Sequence, residues 1–381
     1  MFRKSARLSS SEGIDELHAT PSPRKIAARA DMRRTLVVAP NLHWRRTGVT
    51  TTIVSLLPRQ CRAMAIAAVG PFLPPEVPRL SFWRILLGGW RAPPGYANRV
   101  WHARRNDEMI VGIVLKHVLR QPWTLMFTSA AQRRHSRFTH WLLDRMDQIV
   151  STSVGAARAL GRPSTVIAHG VDTQRYEPAV NRTAAWNQTG LPGQAGIGCF
   201  ARLRPQKGTD LFVEALIRVL PKHPGVTGVL TGLARRDFRS FEAELKGRVA
   251  AAGLSDRILF LGERPSEEMP NWFRCMTGYV APMRSEGFGL TVLEAMASGA
   301  AVIATRAGAA PDLVVDEETG SLIPVDDVEA LVQAMDRMLS DPARTEAMGR
   351  LGRAKAVAEH DIQTEADRLV DIYLGLLKTE R

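Results

Sequence analysis

Twice along this chain, short apolar segments alternate with helix-length amphipathic ones, and between the two series hydrophobic periodicity lapses from Asn181 to Gly193 as Asn, Thr, Gly and Pro accumulate. The first series has strand candidates at Thr35 to Pro40, Ala63 to Val69, Thr124 to Thr128, Gln148 to Thr152 and Thr165 to Ala168. Helical runs cover Val49 to Leu57, Asp107 to Leu119 and Arg137 to Met146,. The second series places strands at Gly196 to Ala201, Val226 to Leu230, Ile258 to Leu261, Gly278 to Ala281 and Ala301 to Thr305, and a helical tail at Val328 to Leu377. Such alternation marks βα units, in which a helix carries the chain back so that successive strands lie parallel. An α/β fold of two doubly wound domains is therefore expected, at 32–180 and 194–360, followed by a helix over 361–381.

Residues 1–31 are basic, rich in Ser and Ala, and read as a disordered extension. Met32 directly precedes the first strand, so a chain starting there is expected to hold a complete fold. Apolar runs fall far short of the roughly 20 residues that cross a bilayer. Cys61, Cys199 and Cys275 are too widely spaced to suggest a disulfide framework or a zinc site, and a reducing cytoplasm is the expected compartment,.

Charge is informative once the chain is divided. Residues 32–175 carry 21 Lys and Arg against 6 Asp and Glu, whereas residues 176–381 carry 24 against 28. A field concentrated in one half attracts polyanions: nucleic acid, an anionic membrane surface or a phosphorylated acceptor. The run Phe82-Trp83-Arg84-Ile85-Leu86-Leu87-Gly88-Gly89-Trp90-Arg91 mixes aromatics with arginines, as suits either a membrane interface or packing on a core,.

Doubly wound domains bind ligands at the carboxyl ends of their strands, and three such loops stand out. Arg284-Ser285-Glu286-Gly287-Phe288-Gly289-Leu290 follows a strand and opens a helix containing Glu294. Its glycines allow close approach of backbone to a ligand, and the helix start favours an anion such as a diphosphate. Glu286 and Glu294 can accept hydrogen bonds from the hydroxyls of two sugar rings, as in a nucleotide-sugar. Phe200-Ala201-Arg202-Leu203-Arg204-Pro205-Gln206-Lys207-Gly208 supplies two cations, Arg202 and Lys207, at the end of the first strand of the second series. Ala168-His169-Gly170-Val171-Asp172 joins the two series.

The Glu286 loop resembles the E-x7-E region of retaining glycosyltransferase family 4, the Arg202 loop resembles that family's G-R-x4-K-G element with Ala201 replacing the first glycine, and His169 to Asp172 resembles its N-G-V-D loop. Together with R-R-x-x-G-V-T-T-T and F-T-S-A-A-Q-R-R-H, these most resemble the bacterial lipopolysaccharide core mannosyltransferases. The resemblance implies a GT-B architecture, two Rossmann-like domains around a cleft, with the last helix crossing back to the first domain. It implies Glu286 on the transferred sugar, Arg202 and Lys207 on the departing phosphates, and Glu294 on the ribose. Gly287, Phe288, Gly289, Leu290 and Gly48 then line the donor, with Glu263 and Arg264 near the base. Arg45, Arg46, His135, His169 and Asp172 are the implied acceptor or cleft residues, His135 standing in for a strand-end histidine that this chain lacks.

The donor so implied is GDP-mannose, used as substrate with no cofactor and no metal, since no D-x-D element is present and Asp326-Asp327 reads as a helix start,. The acceptor is an anionic, lipid-linked saccharide, a Kdo-bearing lipid A precursor met by peripheral contact at the cytoplasmic face of the inner membrane. Nucleic acid is not an expected partner. A nucleotide-sugar epimerase and a non-catalytic polyanion binder stay open as alternatives; the first needs an acid and base pair in the cleft, and the second has no use for the Glu286 and Glu294 loop.

Overall fold

The computed structural model describes residues 29–44 and 48–379. Residues 1–28, and with them nearly all of the basic extension, lie outside the described residues, as do Arg45 and Arg46. Two six-stranded sheets, every pairing parallel, form the framework.

The first sheet holds β1 (Val37–Pro40), β2 (Ile66–Val69), β3 (Arg99–Ala103), β4 (Trp123–Ser129), β5 (Gln148–Ser151) and β6 (Thr165–Val166), in the order β2-β1-β3-β4-β5-β6. Its helices are α1 (Gly48–Ala63), α2 (Phe82–Gly88), α3 (Asn106–Ile113), which continues into a π-helical turn at Val114–Val118, α4 (Arg137–Leu143) and α5 (Val154–Leu160). On one face Ile53 and Leu57 of α1 pack on Val37 and Val100; on the other Ile85 of α2, Met109 of α3 and Leu142 of α4 pack on Val38 and Trp101. Among the described residues, pairing already includes a position before the expected boundary at 32: Ala30 is buried and donates its N–H to the Arg79 carbonyl, 3.0 Å.

Sequence periodicity passed over β3, because Arg99 and His102 make it read as polar. Both are buried with partners. Arg99 donates to the carbonyls of Thr35 at 3.0 Å and Met32 at 2.9 Å, and also to that of Arg91, while burial pushes its guanidinium down to about 10. His102 lies 2.7 Å from Thr128 Oγ1 and 2.6 Å from the Tyr373 hydroxyl. A buried polar group is tolerated where each hydrogen bond to water has a replacement, so a central strand can carry both.

The segment expected to be a linker contains α6 (Arg182–Asn187), capped by the Asn181 side chain on Ala184 N. Its Trp186 is buried over Gly196 and donates Nε1–H to the Gly193 carbonyl at 3.1 Å. One aromatic ring thus pins a polar stretch to the second core, which no periodicity would reveal.

The second sheet holds β7 (Ala195–Phe200), β8 (Val226–Thr231), β9 (Ile258–Phe260), β10 (Met276–Ala281), β11 (Ala301–Thr305) and β12 (Ser321–Ile323), in the order β12-β11-β10-β7-β8-β9. Helices α7 (Thr209–Val219), α8 (Arg239–Ala251) and α12 (Val328–Ser340) cover one face through Phe212, Leu245 and Met335. Helices α9 (Met269–Cys275), α10 (Leu290–Ala297), α11 (Ala310–Leu313) and α13 (Pro342–Glu359) cover the other with α6, through Phe273, Leu293, Leu313 and Ala356. Asp327 caps α12 on Ala330 N at 2.8 Å, the helix-start role read from Asp326-Asp327.

The last helix, α14 (Ile362–Leu376), lies against α1, adding Leu369, Val370 and Tyr373 to the core around Val37 and Ile53. A two-bond ladder, Val171 N to His360 O at 2.8 Å and Ile362 N to Val171 O at 3.0 Å, joins the outgoing and returning chains. Each sheet reverses its strand order once, between β1 and β3 and between β7 and β10. Loops leaving adjacent strands at such a reversal diverge and open a crevice.

Replacing Trp186 by Ala empties a buried aromatic site and is expected to cost about 3–5 kcal/mol, read as a lowered urea midpoint; an unchanged midpoint would show that α6 is an unanchored linker after all.

Candidate active site

The loops after β7 and β10 flank the second reversal point and are clamped together. Gly208, at φ 66°, passes so close to the β10 loop that a Cβ there would stand 1.8 Å from the Pro282 carbonyl oxygen. Arg284 then spans the gap: its guanidinium takes both carboxylate oxygens of Asp210 at 2.8 Å, donates to the Pro205 carbonyl and to Asp326, and its own N–H reaches the Gln206 carbonyl at 3.0 Å. Bidentate Arg–carboxylate pairing fixes orientation as well as distance.

On this frame the Lys207 ammonium forms an ion pair with Glu286 Oε2, with Met283 Sδ also beside it at 3.8 Å. Glu286 Oε1 accepts the Gly287 N–H at 2.9 Å. Arg202 sits at the carboxyl end of β7 with an exposed side chain and no hydrogen-bond partner among the described residues. Partial burial, then the like charges of Arg204 and Arg235, shift its guanidinium down, so an anion arriving there would be welcomed,. Gly289, in the left-handed region at φ 103°, opens α10 at Leu290, and no side chain caps that helix start. Its free N–H groups remain available to a ligand.

Phe288 is buried and meets the His169 ring edge-on at 4.9 Å. Glu294 lies one turn into α10, half-buried, near the Tyr176 hydroxyl and Arg175. Burial pushes its carboxyl up to about 7, against the smaller downward pull of Tyr176 and Arg175. Of the residues expected near a base, Glu263 is exposed on the loop after β9, and Arg264 stacks over the Trp272 ring at 5.5 Å.

The first half contributes less directly. Gly48 opens α1 with open space where a Cβ would stand. Ala130, in the loop after β4, faces the loop after β10: its carbonyl oxygen is 3.0 Å from where a Gly287 Cβ would be. His135, farther along that loop, pairs edge-on with His140 at 6.1 Å. Burial, followed by His140, Arg133 and Arg162, lowers its pKa, so it stands neutral at physiological pH.

His169 and Asp172 bind the joint between the halves. His169 Nδ1 is 2.8 Å from Glu365 Oε1, and the other oxygen of Glu365 accepts the Gly170 N–H at 2.7 Å. Asp172 takes the Arg59 guanidinium of α1 at 2.7 Å and the N–H groups of Gln174 and Arg175. Their side chains are spent on holding the crossing chains, although His169 still touches Phe288 of the loop after β10.

Two groups escaped sequence reading. Arg284 was visible in the motif but its partner Asp210, 74 positions away, was not. At the first reversal point Arg105 reaches Asn41 Oδ1 at 2.9 Å, Glu108 Oε1 at 2.9 Å and Thr50 Oγ1 at 3.1 Å, tying the loops after β1 and β3. The signal was the pair Arg104-Arg105 at a strand end, lost because the strand itself was missed. Among the described residues no group of three or more His, Cys, Asp or Glu is placed to hold a metal ion.

The raised Glu294 carboxyl predicts a specific pH dependence. A carboxyl whose folded pKa lies above its usual 4.5 costs nothing below 4.5 and destabilises the fold progressively as pH rises toward about 7,. Glu294→Gln should therefore lose less stability than the wild type between those two values in urea titrations; identical losses would contradict the raised carboxyl.

Residues 194–341 match the family model described as glycosyl transferases group 1. The chain is 48% identical over 352 residues to the lipopolysaccharide core biosynthesis mannosyltransferase LpcC of Rhizobium leguminosarum bv. viciae, covering 92% of this chain and 99% of that protein. To the lipopolysaccharide core biosynthesis mannosyltransferase LpsB of Rhizobium meliloti (strain 1021) it is 45% identical over 353 residues, 91% of this chain and 99% of that one. In three dimensions it is similar to Anabaena HepE, solved with UDP and glucose, at a TM-score of 0.77 and 19% identity over 89% of this chain and 99% of that one, a likeness that concerns the fold. With two parallel domains, cation and carboxylate loops at the second reversal point, and relatives matched over nearly their whole length, the chain belongs to the group 1 glycosyltransferases, family 4 enzymes of GT-B architecture.

Proposed function

We propose that this protein transfers mannose from GDP-mannose, with retention of configuration, to the Kdo-containing inner core of a lipid A precursor. The observation that carries the reading is the Lys207–Glu286 pair at the second reversal point, beside the uncapped start of α10. The two side chains neutralise each other. A donor would exchange that contact for two others: Glu286 accepts hydroxyls of the transferred sugar, and Lys207, with Arg202 and the α10 N–H groups, takes the diphosphate. The bond from the sugar's anomeric carbon to phosphate oxygen then breaks with both electrons on the GDP oxygen, where the two cations stabilise the growing charge. The acceptor hydroxyl oxygen bonds to the anomeric carbon on the same face and passes its proton to the departing phosphate. Glu294, near Tyr176, is placed to hold the ribose, and the reaction is proposed to need no metal.

Support for mannose and for the lipopolysaccharide core comes from the names of the two relatives matched over 99% of their lengths. The basic first half suits an acceptor bearing carboxylates and phosphates,. Action at the cytoplasmic face of the inner membrane follows from an acceptor anchored there; among the described residues no helix is long and apolar enough to cross a membrane.

A panel of radiolabelled nucleotide-sugars, with EDTA and with or without Kdo-lipid A, tests the reading. Acceptor-dependent transfer from GDP-mannose is expected. Transfer from a different donor would overturn the substrate, isomerised donor without acceptor would indicate an epimerase, and loss of transfer in EDTA would overturn metal independence. Glu286→Gln should lower kcat/KM about 10- to 100-fold, the worth of a hydrogen bond to a charged group, while leaving the urea midpoint unchanged; full activity would remove Glu286 from the site.

A further inference from the structure

Three helices on one face of the first sheet turn apolar side chains outward. α2, α3 with its π-helical turn, and α4 all pack inward through Ile85, Met109, Leu115 and Leu142 on the same core. They are neighbours: Trp90 Nε1–H donates to the Leu119 carbonyl at 3.0 Å, Gln121 reaches the Leu86 carbonyl at 2.8 Å, and Asn106 of α3 bonds Thr139 of α4 at 3.0 Å. On the outer side Trp83 is 68% exposed, Leu87 73% and Val118 68%, and Trp90, Phe138 and Trp141 are each about half exposed. Only Ile85 of α2 is buried, so the aromatic run singled out in the sequence is a surface and not core. Apolar patches of this kind on otherwise soluble faces mark contact sites.

The surroundings say what the contact is with. Residues 82–147 carry 11 Lys and Arg against 4 Asp and Glu. Of those acids, Asp147 is paired to Lys116, Asp144 to Arg162 and Glu108 to Arg105. Arg84, Arg91, Arg120 and Arg137 are exposed on or beside the same helices. Arg145 lies over the Trp141 ring at 3.8 Å, and that ring stacks on Phe138. Trp and Leu projecting among arginines match the boundary between acyl chains and anionic headgroups. A second copy of this chain is disfavoured, because a two-fold contact sets the same patch against itself and here brings cations against cations.

We infer that the α2–α3–α4 face is a docking surface for an anionic lipid bilayer. The face also leads to chemistry. α4 is capped by Ser136, directly after the loop whose Ala130 carbonyl faces Gly287 of the proposed donor site. A headgroup-bearing acceptor lying in the docked bilayer therefore meets the cleft along α4, past Arg133 and Arg134, without leaving the membrane. The lipid contact stands on surface geometry alone; only this delivery route rests on the glycosyltransferase reading.

The test is vesicle pelleting with the full chain, using phosphatidylcholine alone or mixed with phosphatidylglycerol. Binding to the mixed vesicles, weakened by salt, is expected. Trp83→Ser with Leu87→Ser should lower it roughly tenfold or more, as should Arg91→Glu with Arg120→Glu, while both variants keep the wild-type urea midpoint and the same turnover of donor with a water-soluble acceptor. Equal pelleting of wild type and both variants would overturn the inference. So would failure of the wild type to bind, a dimer in sedimentation equilibrium that the Trp83 and Leu87 changes dissolve, or RNA binding lost in the same variants. Failure of transfer with retained vesicle binding would instead count against the proposed activity.

Discussion

The bond network of Arg284 decides whether this molecule has a site. Lys207 and Glu286 come from loops 79 positions apart in sequence, on different strands, and Leu203, Met283 and Phe288 bury the two loops in cores on opposite faces of the sheet without joining them. By gripping Asp210, Asp326 and the Pro205 carbonyl at once, one guanidinium fixes both loops to the start of α7. Such a partly exposed network contributes little net stability, since desolvation offsets most of the attraction. Its contribution is geometric: it holds a cation and a carboxylate in contact where the strand order reverses, the pair that the proposed donor would separate.

The crossing of α14 does for the two halves what Arg284 does for the two loops. Glu365 receives both His169 and the Gly170 N–H, Asp172 holds Arg59, and Tyr373 closes on His102 of β3. The joint is thus polar and directional at its ends and apolar in its middle, through Leu369 and Val370. His169, touching both Glu365 and Phe288, is the side chain common to the joint and the Glu286 loop.

Much of this was legible in the residues. Apolar strands buried on both faces, such as β7 and β10, announce themselves as short continuous runs, and the glycine-rich loop with Glu286 and Glu294 needs little context to be read as a ligand site,. Legibility failed where long-range pairing supplies what local composition lacks. β3 reads as polar because carbonyls and hydroxyls elsewhere satisfy Arg99 and His102. The stretch 181–193 reads as a linker because Trp186 is its one buried residue. The Asp210 partner of Arg284 carries no motif, and the roles of His169 and Asp172 depend on α1 and α14, whose positions no local pattern specifies.

The most direct test of the central claim is calorimetric titration of GDP into the wild type and into Lys207→Met, which keeps the side chain's length and removes its charge. A lost ammonium–phosphate contact predicts affinity lower by about 10- to 100-fold, with the Arg284→Met variant weakened similarly through a displaced Lys207 and the combined variant scarcely worse than either. Unchanged affinity in Lys207→Met would show that the diphosphate rests elsewhere and that the Lys207–Glu286 pair is a structural link and not the donor site.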